Sequence, residues 1–341
     1  MKIVEITGPR QAGVSERPDP IPAEDLVLVR IDSAPMCTEY KSYREGYTSS
    51  FLGHEAAGTV EAIAQPGLRK PGDRVVVMPQ YPCGSCSLCL KGDYIYCQDL
   101  RNIQKITGSP WGTASYAQKM LKPDWLLIPI PDDVPTDLAA MACCGLGPTF
   151  GAMQTMHVTS FDTVLITGLG PVGLGGVING VARGAKVLCV ESNTYRSELA
   201  KRLGAYMVFD ASAEDSLSEI SDYTSGEGVD AAIDCSGMES AQKLMISALK
   251  RRGRAAFVGE SGELSLNVSN HLIRKGITLH GQWHYNLSDT PAMMNMIQLQ
   301  QDRLKQLITH TFPMSRVKEA FELQLEGNCG KVVLHPQSSL N

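Results

Sequence analysis

Long apolar runs are missing from this 341-residue sequence. No stretch reaches roughly 18 consecutive uncharged apolar residues, the length that a membrane-spanning helix requires. The opening MKIVEITGPR has no apolar core of the kind found in export signals, so a cytoplasmic location without a membrane partner is expected. Basic tracts are missing as well. Lys and Arg total 31 against 36 Asp and Glu, a net charge of −5, which argues against a nucleic-acid partner. There is no low-complexity tract, internal repeat or coiled-coil heptad. With 43% hydrophobic and 20% charged residues, the composition is that of a folded globular protein. At about 150 residues per domain, the length suggests two domains.

Cysteine is plentiful, ten residues in all, in a chain for which a disulfide framework is not expected. Cys83, Cys86, Cys89 and Cys97 fall within fifteen residues of a loop bearing Pro and Gly. Four thiolates at this spacing can close a tetrahedron around zinc, with bonds of about 2.3 Å and no position left for water. Such a site staples a loop and does no chemistry. Free thiols so close together would be prone to oxidation. An iron–sulfur cluster also takes four cysteines, but no electron-transfer partner site is visible. Structural zinc is the expected occupant.

Residues 1–150 read as β-rich, with strands such as Leu26–Ile31, Ala56–Ala64 and Arg74–Met78 separated by Pro-Gly turns. From Asp162 the texture changes to apolar strands alternating with amphipathic helices: Thr163–Thr167, a helix after Gly173, Lys186–Glu191, a helix over Arg196–Leu203, then Tyr206–Phe209, Val229–Asp234, Arg254–Val258 and Ile277–His280. That alternation implies an α/β fold with a parallel sheet covered on both faces. Residues 286–341 hold helices over Pro291–Leu304 and Ser315–Glu326 and a strand over Lys331–Leu334, which either extend the second domain or return to the first.

The strand Thr163–Thr167 runs into Gly168-Leu169-Gly170-Pro171-Val172-Gly173, then a helix, then a strand ending in Glu191. A lone G-x-G-x-x-G is weak evidence, but here it has the strand–turn–helix–strand–acid context of a dinucleotide site. Gly168 allows the tight turn, Gly170 lets the backbone approach a pyrophosphate at the helix N-terminus, and Gly173 allows close helix–strand packing. Pro171 and Val172 lie inside the same turn, and Val258, ending its own strand, is counted with the cofactor-binding candidates. Glu191 is placed to accept hydrogen bonds from ribose hydroxyls and to repel a 2′-phosphate, which favours NAD over NADP. Arg196, five residues on, can bond the ribose or tolerate a phosphate.

Gly53-His54-Glu55-Ala56-Ala57-Gly58, Pro71-Gly72-Asp73-Arg74-Val75, the four-cysteine loop and the glycine turn occur in one order along nearly the whole chain. In this the chain resembles the zinc-dependent medium-chain dehydrogenases/reductases, the family of alcohol, sorbitol and threonine dehydrogenases. The resemblance implies a GroES-like catalytic domain over 1–150, a Rossmann NAD-binding domain over 151–285, and a segment 286–341 that returns to the catalytic domain. It implies two zinc ions per chain. The second, catalytic zinc would lie at the cleft between the domains, on ligands from three separate places. Cys37 matches the early cysteine, His54 the histidine of the Gly-His-Glu motif, and Glu55 an acid that coordinates zinc directly or supports it. Cys144 matches the third ligand better than its neighbour Cys143, for which a buried apolar role is expected. Three ligands and an open position suit an alcohol oxygen, whose pKa the metal lowers before hydride leaves for nicotinamide.

One stretch departs from the family pattern. The usual Cys-x-Ser/Thr-Asp-x-His is one residue short here, in Cys37-Thr38-Glu39-Tyr40-Lys41. With a gap after Cys37, Thr38 becomes the proton-relay hydroxyl, Glu39 the acid, and Lys41 replaces the histidine. Without one, Glu39 takes the place of the hydroxyl. The gapped alignment keeps hydroxyl and acid in order. Trp283-His284-Tyr285 either shape the pocket or pack. His157, His271, His310 and His335 lack partner spacing and read as surface or packed histidines, and Met293-Met294-Asn295-Met296 as helix core. The expected activity is NAD-dependent oxidation of a secondary alcohol, polyol or sugar-like, by a homodimer or homotetramer. A simple alcohol or threonine-type substrate is the alternative within the class. Outside it stand a non-catalytic zinc-stapled NAD-binding protein and a quinone or enone reductase, whose members typically lack both zinc sites.

Overall fold

In the computed structural model, which describes residues 1–212 and 215–338, the chain separates into two units. The first comprises residues 1–145, 286–301 and 308–341, and the second residues 146–285 and 302–307.

The first unit is built around Leu26–Pro35, a strand buried on both faces except at Arg30 and Asp32, which are half-buried. This strand pairs antiparallel with Ala56–Ile63, with Lys119–Pro123 and with Lys331–His335. The sheet runs in the order Ile308–Pro313, Lys331–His335, Leu26–Pro35, Ala56–Ile63, Arg74–Val77, Leu127–Pro129. Gly58 makes the close pairing possible, because a Cβ there would stand 2.0 Å from the Arg30 carbonyl oxygen. Val29, Ile31, Val60, Val75, Val77, Tyr116 and Leu127 share one apolar core with Phe321, Val332 and Leu334 from the last stretch of chain. Fully burying each such side chain contributes about 1.5–3 kcal/mol.

The last stretch differs from its sequence reading in two ways. The helix expected over Pro291–Leu304 is two helices, Thr290–Leu299 and Gln301–Leu307, broken at Gln300. Ile308–Pro313, unassigned from sequence, is a strand parallel to Lys331–His335. Its side chains are mostly half-buried, so it carries no clear apolar alternation.

The second unit is a six-stranded parallel sheet in the order Met207–Asp210, Lys186–Glu191, Thr163–Thr167, Val229–Asp234, Leu249–Phe257, Thr278–Gly281. Numbered from Thr163–Thr167, this is 3-2-1-4-5-6, the doubly wound order in which ligands bind where the strand direction of travel reverses. Thr167 and Asp234 end the two strands flanking that point. The fully buried Asp234 carboxylate accepts from the Thr167 hydroxyl at 3.0 Å, from Ser236 N–H and from Gln242 Nε2, and so ties the two strand ends together. The first helix begins at Pro171, earlier than expected, since proline is pre-set for the first helical position.

Candidate functional site

Four cysteines stand together in the connection between Arg74–Val77 and Lys119–Pro123. Their Sγ atoms stand 3.9 Å (Cys83–Cys89), 3.5 Å (Cys86–Cys89), 3.9 Å (Cys86–Cys97) and 3.6 Å (Cys83–Cys97) apart. A tetrahedron with arms of about 2.3 Å has edges of about 3.8 Å, so the spacing of the sulfurs fits a zinc ion. Backbone N–H groups of Ser85 and Cys86 donate to Cys83 Sγ, which lowers that thiol to about 6 and favours the thiolate a metal needs. Asn286 holds the lobe in place, its Nδ2 donating to the Lys91 carbonyl and to Asp93 Oδ1, both at 2.8 Å.

A second donor cluster is assembled from distant positions. Donor atoms of Cys37, His54, Glu55 and Cys144 all lie within 4.8 Å of one another. Cys37 follows the central strand Leu26–Pro35, His54 and Glu55 precede Ala56–Ile63, and Cys144 follows the helix Thr136–Ala140. His54 Nε2 stands 3.2 Å from Cys144 Sγ, while Nδ1 pairs with Glu39 Oε1 at 2.9 Å. The imidazole is thus held from behind, and the nitrogen facing the sulfurs is the one left for a metal. The hydrogen bond from Cys144 holds the Cys37 thiol well below its usual range, despite burial. Burial works against a charged His54, but Cys37 and Glu39 outweigh it and raise the imidazole to about 11. Burial likewise opposes the Glu39 carboxylate, and His54 nevertheless draws it down to about 2. Glu55 is fully buried, with Oε1 on Lys331 and Oε2 without a partner among the described residues. Two sulfurs, an imidazole nitrogen and an orphaned carboxylate oxygen are a donor set that fits zinc.

Thr38 and Glu39 part company. Glu39 lies on His54, whereas Thr38 is exposed at the start of the helix Glu39–Glu45, and its side chain makes no capping bond. Lys41 is also exposed. Cys143 is buried beside the donor cluster, its thiol bonded to the Val77 carbonyl.

In the second unit Gly168 has φ +83°, and a Cβ there would strike Ser236. A Cβ on Gly173 would lie 2.0 Å from the Gly168 carbonyl oxygen, while one on Gly170 would meet no protein atom within 4 Å. The space over Gly170, at the N-terminus of the helix Pro171–Ala182, fits a pyrophosphate. Glu191 Oε2 accepts the Leu169 N–H at 2.6 Å, and Oε1 accepts from Ser192 and Asn193, so the acid is fixed beside the glycine turn. Arg196 Nε is buried without a partner among the described residues. Val258 is half-buried just past the strand Leu249–Phe257, its N–H on the Asp234 carbonyl.

The other conspicuous residues divide between core and surface. His284 and Tyr285 are buried and stacked on each other, and a Cβ on Gly147 would come within 2.6 Å of His284; Trp283 is half-exposed. Met293, Met294 and Met296 are helix core. His335 departs from its sequence reading: it pairs with Asp137 at 3.1 Å, a partner 198 residues earlier that no local spacing reveals. Lys331, Tyr116 and Asp234 were not singled out from the sequence, and an acid ending the apolar strand Val229–Asp234 was the only available signal.

Known proteins bear on this arrangement. A family profile described as "Alcohol dehydrogenase GroES-like domain" matches residues 23–132, and one described as "Zinc-binding dehydrogenase" matches 171–299. An L-threonine 3-dehydrogenase of Pyrococcus abyssi is 31% identical over 332 residues, covering 93% of this chain and 92% of its own. A sorbitol dehydrogenase of Bacillus subtilis is 28% identical over 350 residues, covering 98% and 97%. A crystal structure titled as a short chain alcohol dehydrogenase from Escherichia coli CFT073, complexed with NADH, superposes with a TM-score of 0.84 at 26% identity, covering 98% of this chain and 99% of that one. The chain is an oxidoreductase that belongs to the zinc-dependent medium-chain alcohol dehydrogenase family.

Proposed function

We propose that the protein is a zinc-dependent dehydrogenase that transfers hydride from a secondary alcohol, polyol or sugar-like, to NAD. The observation that carries this reading is the convergence of Cys37, His54, Glu55 and Cys144 within 4.8 Å, with Glu39 behind the imidazole. Zinc there supplies Lewis acidity, which lowers the pKa of an alcohol hydroxyl. Cys37, His54 and Cys144 hold the metal, and Glu55 contributes its free oxygen or lends its charge from behind. Glu39 keeps the His54 proton on Nδ1, which reserves Nε2 for the metal. Thr38, exposed beside Cys37, passes the hydroxyl proton outward. Cys83, Cys86, Cys89 and Cys97 hold a second, structural zinc. Gly168, Gly170, Pro171, Val172 and Gly173 take the pyrophosphate, Glu191 and Arg196 the ribose, and Val258 the strand-end side of the cofactor. The sorbitol dehydrogenase likeness supports a polyol, and the threonine dehydrogenase likeness keeps a β-hydroxy amino acid in the substrate panel.

The test pairs metal analysis with a substrate panel. Two zinc ions per chain are expected, with NADH appearing on a subset of polyols, simple alcohols and threonine. Cys37→Ala and His54→Ala should abolish turnover, yet keep NAD binding and one zinc. Full activity in either variant, or one zinc in the wild type with no NADH on any substrate, overturns the reading.

A further inference from the structure

Tyr116 touches both stretches of chain that build the donor cluster. Its hydroxyl donates to Glu39 Oε2 at 2.9 Å and accepts the Cys37 N–H at 3.3 Å. Its ring lies against Gly53, the residue before His54, where a Cβ would fall 2.3 Å from ring Cδ1. Backbone bonds from Tyr116 N to the Leu52 carbonyl and from Ser115 N to the Gly53 carbonyl fix the same loop. The side chain is only 1% exposed.

A glutamate carries a soft terminal torsion, so its orientation depends on what holds each oxygen. Glu39 Oε2 accepts from the Cys37 N–H at 3.2 Å and, over the shorter distance of 2.9 Å, from the Tyr116 hydroxyl, which is the donor that comes from a distant part of the chain. The hydrogen bond also offsets part of the cost of burying the Glu39 charge.

We propose that Tyr116 is a positioning residue for the metal centre: by holding Glu39 Oε2 it locks the carboxylate whose other oxygen orients His54. The inference deepens the proposed function and rests on Cys37, His54 and Cys144 being zinc ligands. Groups behind a ligand of this kind typically change metal affinity by about 10- to 100-fold when removed.

Tyr116→Phe keeps the ring against Gly53 and removes only the hydroxyl. Zinc affinity is read at each site by competition with a chelator, alongside the melting temperature. The expected result is a loss of about 10- to 100-fold at the Cys37/His54/Cys144 site, with the four-cysteine site unchanged. Glu39→Gln should give a comparable loss, and Tyr116→Phe added to it should add less than about twofold, since both act through one carboxylate. Equal weakening of both sites, or multiplicative losses in the double variant, overturns the positioning role in favour of general packing. Unchanged affinity in Tyr116→Phe overturns the inference alone. A wild type that holds zinc only at the four cysteines overturns both the inference and the function on which it rests.

Discussion

Lys331 Nζ donates to Glu55 Oε1 at 2.6 Å, and neither side chain has any exposed surface. The lysine opens the last strand and the glutamate follows His54, 276 residues earlier. Burial pushes the Glu55 carboxyl up to about 7, and Lys331 pulls against that rise. Removing one member leaves the other uncompensated, at a cost of about 3–5 kcal/mol. Lys331→Met should therefore lower unfolding stability by that amount, read from urea titrations. Lys331→Met combined with Glu55→Gln should recover part of it. A single variant within about 1 kcal/mol of wild type would mean that the carboxyl is neutral without its partner.

The four-cysteine lobe makes a different prediction. Cys89 is buried within it, and burial pushes its thiol up to about 12, so a bound zinc would have to supply the charge that favours its thiolate. Because a closed zinc site lends its binding energy to folding, Cys89→Ser should lower the melting temperature and promote aggregation. Chelation of wild-type zinc should do the same. A Cys89→Ser protein that melts with the wild type shows a lobe independent of metal.

Cofactor choice should follow Glu191. Hydrogen bonds to a charged group contribute about 1.5–3 kcal/mol, roughly tenfold to a hundredfold in affinity. Glu191→Ala should weaken NAD and improve NADP together, and adding Arg196→Ala should take back part of the NADP gain. The measurement is kcat/KM with both cofactors across the three proteins. A ratio untouched by Glu191→Ala would place the acid away from the ribose.

The His335–Asp137 pair should give the first unit a pH window. The Asp137 bond raises His335 above its ordinary range against the opposing effect of burial. Asp137 is lowered by His335 and Ser33, again against burial. The histidine's contribution is complete below about 6.5 and fades as pH rises through its raised value; the aspartate's is complete above about 4 and fades as pH falls through its lowered one. Stability from the pair is thus greatest between about pH 4 and 6.5. Asp32 adds to it from nearby. Because both side chains are about one-third exposed, the contribution is below about 1 kcal/mol. His335→Gln should flatten this part of the stability–pH curve; an unchanged curve would remove the pair as its source.

What could be read in advance depended on distance along the chain. The four-cysteine loop and the turn from Gly168 to Gly173 are local patterns, so spacing alone pointed to them. The strands that alternate with helices from Thr163 onward are likewise local, and their positions differ from the expected ones by a residue or two, except that Leu249–Phe257 begins five residues early. The second donor cluster spans Cys37 to Cys144, with no spacing to announce it, and only family resemblance led there. Nothing marks Lys331 as buried, because a lysine opening an apolar strand reads as a solvated end. Tyr116 is equally silent, since its partner Glu39 lies 77 residues away.

The strand Lys331–His335 bears on how the protein is made. It lies between Leu26–Pro35 and Ile308–Pro313 in the first sheet and brings Val332 and Leu334 into the core begun by Val4 and Ile6. During synthesis the ribosome must deliver almost the entire chain before that sheet can close. The second unit draws nearly all its residues from one continuous run, 146–285, and has its strands available far sooner. Pairings so distant in sequence form slowly, because chain closure must precede any gain from contact. The nascent first unit therefore waits with Glu55 unpaired and with the Ala34–Pro35 end of the central strand uncovered, the rest of that edge being already paired with Lys119–Pro123, which makes this short end the place for a chaperone or a misfolding event to act.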